Sequence, residues 1–194
     1  MDDNCLKNFI KIASFKKITG PPEDWLKAIY SMQWGFRDKP SLNTAYNSIG
    51  KNDLFIFHSM SIENLRNKIK VNTGIIGFGI SSKKFIEKND PYPGYEAPDL
   101  RPLRFSFSDM WFFGDVGSIK IEPIDNKIEK GESYIISDIY RLLENCLPFS
   151  TLKSNGISIS TQGAIRNINP ESAEKLSEII YDKERFHISG SEIN

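Results

Sequence analysis

The apolar stretches of this chain are all strand-sized, the longest around "GIIGFGI", and "LRFSFSDMWFFGD" from Leu103 to Asp115 alternates. Phe105, Phe107, Trp111 and Phe113 recur in one phase, the period-2 signature of a strand with one face in a core. Asp109 interrupts that phase, which predicts a bulge or a buried acid. "KNDLFIFHSM" reads as a turn into a buried strand, and "GIIGFGISS" as another whose glycines admit close backbone approach. A chain with these centres builds a sheet, and its 13 Phe and 7 Tyr suit one.

The flanking segments supply edge strands and helices. "FIKIASF" (Phe9 to Phe15) alternates and reads as the first strand. "TGPPEDWLKAIYSM" reads as a helix, with prolines at its start, acids in its first turn and Trp25, Ile29 and Met32 near helical spacing. A short strand broken by Gly35 follows at Trp34. "KPSLNTAYNSI" is a second short helix, with Gly50 as its stop. Lys83 to Arg101 reads as a long loop rich in proline, tyrosine and charge. "SIKIEPI" alternates cleanly as a strand. "YIISDIYRLLENCL" is an amphipathic helix ending at Pro148, "NGISIS" a short strand and "TQGAIRN" a turn with a return strand. In "NPESAEKLSEIIYD", Asn169 caps a last helix with Pro170 at its first position. The expectation is one α+β domain over residues 1–186 with a mostly antiparallel or barrel-like sheet. Residues 123–155 read as an insertion or helical addition, and 187–194 as a frayed tail.

Lys and Arg number 25, and Asp and Glu 25. Net charge therefore announces no polyanion, and any nucleic-acid binding must come from a local patch. Cys5 and Cys146 stand in neither a metal-ligand spacing nor a disulfide framework and read as reduced thiols. "MDDNCLKNF" lacks the basic and apolar regions of a signal peptide, and no apolar run reaches membrane-spanning length. A cytoplasmic protein is expected.

Catalytic machinery is thin. His58 sits in an apolar strand, His187 in the expected tail, and no phosphate loop, nucleophile elbow or metal-spaced cluster is present. Glu23 and Asp24 are adjacent acids at a helix start, where the helix dipole favours them. No cofactor and no metal are expected. The binding inventory is richer. Trp34, Tyr92, Tyr95 and Trp111 are large flat side chains in or beside loops and strand ends, and such faces stack on planar bases or surround methylated nitrogens. Core packing is the competing reading: it is favoured for Trp25, Trp111 and the phenylalanines, and evenly balanced for Trp34 and Tyr92. Basic clusters at Lys16-Lys17, Lys83-Lys84 and Arg101/Arg104 contact phosphates only if the fold gathers them at one pocket.

Several stretches together resemble the EVE and YTH branches of the PUA-like superfamily. "WGFR" at Trp34 to Arg37, the "LNTAYNS" helix, Asn52-Asp53-Leu54-Phe55 through His58, "GIIG" at Gly74 to Gly77 and "TQGAIRNINPESAEKL" carry the likeness, with Asn52 standing where the EVE pattern has glycine. The resemblance spans about Phe9 to Asp182, Pro123 to Asn155 excepted. It implies a PUA-like twisted β-barrel of about six strands surrounded by short helices, reading a modified base held in an aromatic cage. Carried over, Trp34 is the first cage wall, Tyr92 or Tyr95 the second, and Leu100 or Leu103 the apolar third. Asp24 accepts a hydrogen bond from the base edge, Gly35 offers backbone groups to it, and Gln162 lines the pocket's rim. Lys16, Lys17, Lys83, Lys84, Arg101 and Arg104 meet neighbouring phosphates.

The resemblance extends to the N-terminal domain of McrBC-type restriction systems. The expected function is therefore a non-catalytic reader of N6-methyladenine or a methylated cytosine in DNA, flipping the base out of the duplex. Its partners would be nucleic acid, not a membrane, and a C-terminal nucleotide-hydrolysing motor domain beyond this chain. The alternatives are a YTH/PUA-type module for methylated RNA, an ASCH-like enzyme on a modified nucleoside using Asp24, and a protein–protein module.

Overall fold

The computed structural model describes residues 3–60, 73–92, 101–114, 116, 117, 119, 133–160 and 163–190. Among these, helices α1 (Asp3–Ile12), α2 (Pro22–Ser31), α3 (Pro40–Asn47), α4 (Ser133–Glu144), α5 (Phe149–Ser154) and α6 (Pro170–Asp182) surround one sheet. Its strands are β1 (Phe15–Gly20), β2 (Gln33–Phe36), β3 (Leu54–Ser59), β4 (Gly74–Ile86), β5 (Leu103–Phe113), β6 (Leu147–Pro148), β7 (Ile165–Asn167) and β8 (Arg185–Ser189). The main path runs β2-β5-β4-β3-β1-β7, with β6 paired to β4 and β8 to β5. All pairings are antiparallel except β1 with β3. The α+β class and a curled half-barrel ringed by short helices are as expected, and β2 and β7 form the two ends of the path.

Each face of the sheet carries its own core. Phe55, Phe57, Phe105, Phe107 and Phe112 pack with Trp25 and Trp34 on one side, and Leu54, Ile56, Phe78, Trp111 and Phe113 pack on the other. That division corrects the phase read for β5. Ile80 pairs with Asp109 but Ser81 with Phe107, so Ser108 is the extra residue of a bulge. The slip sends Trp111 and Phe113 to the face opposite Phe105 and Phe107, as a one-residue shift must.

Further corrections follow from tertiary context. "FIKIASF" is mostly helix: α1 runs through Ile12 with Leu6 and Ile10 buried one turn apart, and β1 begins only at Phe15. β4 continues through Ile86, so Lys83 and Lys84 lie in a strand. "NGISIS" forms no strand, although Ile157 is buried. Residues 187–189, expected to fray, pair with β5 as part of β8. The described part of 123–155 is built into the molecule: α4 gives Ile139, Leu142 and Leu143 to one core, and Leu147 and Leu152 join the other. The "SIKIEPI" strand lies largely outside the described residues.

Candidate nucleic-acid interface

The site grows from the way α2 is seated. Pro22 at its first turn needs no amide partner, and Met32 closes it in the left-handed region at φ 52°, turning the chain directly into β2. Trp25 is wholly buried. Its indole N–H is shared between the carbonyls of Gly20 (3.2 Å) and His58 (3.1 Å), which ties α2 to the ends of the parallel pair β1 and β3. Trp34 then packs on Trp25, ring centroids 4.2 Å apart at 35°, with its indole edge against Gly20. Only 3% of Trp34 is exposed, so in this structure it is an internal ring beneath β2, not an open wall.

Gly35 follows, and successive strand residues point to opposite faces. On Gly35's side lies Tyr92: a Cβ added to Gly35 would stand 2.8 Å from Tyr92 Cδ2 and 2.9 Å from Arg101 Cβ. Tyr92 is fully buried, and its hydroxyl donates to the Gln33 carbonyl at 2.9 Å. Trp34 and Tyr92 therefore flank β2 from opposite sides, where two facing cage walls were expected. Leu103 is buried in β5 opposite Phe36. Tyr95, Leu100 and Gln162 lie outside the described residues.

At this end strand, Arg101 Nη2 donates to Asp24 Oδ2 at 2.6 Å, and Nη1 reaches the Gly35 carbonyl at 3.4 Å. The Asp24 carboxylate is 4% exposed and also lies 3.7 Å from Lys27 Nζ. The Arg101 and Arg104 guanidinium groups lie over the Tyr92 ring at 5.3 and 5.6 Å. Asp24, Gly35, Tyr92 and Arg101 thus meet in one buried cluster beside β2. Lys27 and Gln33 are members the sequence reading missed. Lys27 stands three residues after Asp24 on α2, and Gln33 shares the Gly35 face two residues before it, so helix and strand spacing held the signal. Gln33 Oε1 is buried without a hydrogen-bond partner.

The expected phosphate contacts separate. Lys16 is buried, donating to the Ser48 carbonyl at 2.6 Å and paired with Asp53. Lys17 is fully buried opposite Arg166 on β7; burial first and that cation second lower its pKa to about 8. Arg104 is buried, with Nε on the Arg101 carbonyl at 3.0 Å and Nη2 on the Asp90 carbonyl. Lys83 and Lys84 are exposed, Lys84 donating to the Asn47 carbonyl at 3.2 Å. Lys16, buried and bonded to a carbonyl and a carboxylate, and Lys17, fully buried, make poor phosphate contacts and read as structural.

The other chemistry is structural too. His58 is buried against the Phe149 ring, 3.2 Å from Thr19 Oγ1, and desolvation, then the Lys17 charge, lowers its pKa to about 4. Burial raises the Cys146 thiol above its ordinary value, which disfavours the reactive thiolate. Among the described residues no three His, Cys, Asp or Glu side chains are grouped to hold a metal, and no helix is long and apolar enough to cross a membrane.

No known family profile matches the chain, and no curated protein matches it in sequence. Among solved structures, human THYN1 in complex with 5-methylcytosine-containing DNA matches at 13% identity and a TM-score of 0.43, over 89% of this chain and 99% of that one.

Proposed function

We propose that the chain is a non-catalytic reader of a modified base in DNA, received as an extruded base at the cluster beside β2. The convergence of the Asp24 carboxylate and the Gly35 carbonyl beside the Tyr92 ring carries this reading. A planar base offers what these groups match: N–H donors on its edge and a flat face above and below. Asp24 reads the edge, Gly35 lets the ligand approach the backbone, and Trp34, clamped on Trp25, holds β2 in place. Lys83 and Lys84 on the exposed arm of β4 supply contacts to flanking phosphates. Extrusion costs a few kcal/mol of unstacking, repaid only if the pocket recognises the base.

In this reading the domain targets a modification-dependent restriction system of McrBC type in the cytoplasm, beside a nucleotide-hydrolysing motor on another domain or subunit. The test is anisotropy titration of duplexes carrying one 5-methylcytosine, one N6-methyladenine or neither, with single-stranded methylated RNA as competitor. One modified duplex should bind several-fold more tightly than its unmodified twin. Asp24→Asn should erase most of that preference, since a hydrogen bond to a charged group is worth about 1.5–3 kcal/mol. Equal binding of all duplexes would refute the proposal, and stronger competition by the RNA would move it to RNA.

A further inference from the structure

β7 ends the main path of the sheet, so one of its edges has no strand beside it. The hydrogen-bond pattern fixes which backbone groups face that edge. The Thr19 amide donates to the Ala164 carbonyl and the Ile168 amide to the Phe15 carbonyl, each at 2.9 Å, with Lys17 paired to Arg166 between them. In an antiparallel pair, alternate residues bond to the neighbouring strand. Ala164, Arg166 and Ile168 therefore turn their backbone groups toward β1, and Ile165 and Asn167 turn theirs outward. Two N–H donors and two C=O acceptors alternate along the open edge.

That edge borders a cavity of about 390 Å³ whose other wall is α3. Leu42 and Ala45 of α3, with Ala164, are half-buried and pack on the core, which gives the cavity an apolar floor. Arg166 is exposed, and it is the only charged side chain among the described residues that line the cavity. It folds back over the turn at Gly163, where φ is 79° and a Cβ would stand 2.7 Å from Arg166 Nε.

We infer that this groove docks an extended segment of a partner protein as an added strand on β7, with apolar side chains toward α3 and acidic ones toward Arg166. A strand edge facing a helix across an apolar floor suits strand addition, in which main-chain bonds give affinity and alternate side chains give specificity. The occupant's chemistry follows from the edge. A peptide brings both N–H and C=O groups and can meet donors and acceptors alike. A nucleic-acid backbone presents phosphate acceptors and would leave the Ile165 and Asn167 carbonyls unmet. A second copy of the chain fits poorly: pairing β7 with itself so that Ile165 meets Asn167 sets Arg166 opposite Arg166, and like charges directly opposite destabilise a sheet. Strand alternation then orders the side chains. Those on the Ile165 face look to the core that Leu42 and Ala45 cover, and the others meet Arg166 on the face it shares with Lys17. That face is basic, so the peptide residues over it are Asp or Glu.

The test reads amide hydrogen exchange in the whole chain by NMR. The probe is a synthetic heptapeptide alternating Glu and Val, compared with its Lys/Val counterpart and with an oligothymidylate. Docking should slow Ile165 and Asn167 by about tenfold at about nine-tenths saturation and leave Arg166, already bonded to β1, as it was. The Lys/Val peptide should have no effect, and Arg166→Glu should reverse the preference between the two peptides. Asn167→Pro removes an outward amide that bonds to nothing in the sheet, so the chain should still fold, as thermal melting will show, and should bind the acidic peptide several-fold more weakly. Unchanged exchange at Ile165 and Asn167 under millimolar acidic peptide overturns the inference. Equal slowing by the Lys/Val peptide, or slowing by the oligothymidylate alone, overturns the stated occupant. Undiminished affinity in folded Asn167→Pro overturns strand addition.

Discussion

His187 Nε2 lies 2.9 Å from Asp109 Oδ1, and its ring lies flat on Trp111, centroids 4.7 Å apart at 11°. Asp109 stands beside the β5 bulge, and His187 belongs to β8, paired across from Trp111. The interrupting acid of β5 thus holds the last strand in register. Asp109→Ala should cost about 1 kcal/mol in urea unfolding. It should also speed amide exchange across 185–189 more than in the strands at the sheet's centre. Unchanged exchange there would show that β8 is held by its backbone alone.

The buried His58 makes stability depend on pH. Its folded pKa of about 4 lies below the ordinary 6.5, so between those values the unfolded chain binds the proton that the folded chain refuses. Stability from this residue is complete above pH 6.5, falls as pH drops through the window and levels off below about 4, by up to about 3 kcal/mol. His58→Gln should flatten that part of the stability profile. Lys17→Met removes the second cause of the shift, so the His58 pKa read by NMR should rise toward 6.5.

The elements were legible wherever one local signal dominated. The prolines of α2, the Asn169 cap and the apolar runs of β3 and β5 were all read correctly, because caps and burial act over a few residues. "FIKIASF" was not: Leu6 and Ile10 match a helix as well as Phe9, Ile10 and Phe15 match a strand, and packing on α6 decides. The β5 bulge was foreseen as one of two options, but its effect on side-chain phase needed the β4 register. At the site, Asp24, Trp34, Gly35 and Tyr92 came from a resemblance; the structure brings Asp24, Gly35 and Tyr92 together around Arg101 and puts Trp34 on the other side of β2. The Arg101–Asp24 pair links residues 77 apart, and no local pattern encodes a contact at that separation.

Gly20 should tolerate no side chain. A Cβ there would stand 2.7 Å from Trp34 Cζ2, and the indole cannot retreat because Trp25 backs it. Gly20→Ala should cost about 1–3 kcal/mol, as overpacking does. The altered Trp34–Trp25 stack should also change the near-ultraviolet circular dichroism. A native spectrum with native stability would mean that Trp34 has room to move, which would return it to the role of a pocket wall.

The cationic clusters supply the last prediction, because burial divides residues that look alike in sequence. Lys16 donates to the Ser48 carbonyl and the Asp53 carboxylate, and Asp53 also accepts from the Gly50 amide at 2.6 Å. Removing one partner of a buried pair leaves an uncompensated charge, so Lys16→Met should cost about 3–5 kcal/mol. In Lys16→Met/Asp53→Asn no charge is stranded, and the loss should be smaller than in Lys16→Met alone. Neither change should alter how duplex affinity depends on salt, since Lys16 cannot reach a phosphate from its pocket. Lys83→Gln and Lys84→Gln should leave stability within about 0.5 kcal/mol. Each should also reduce the slope of log affinity against log salt by about 1, the signature of one lost phosphate contact. A slope lowered by Lys16→Met in the folded protein, or untouched by both β4 variants, would place the phosphate track on another face.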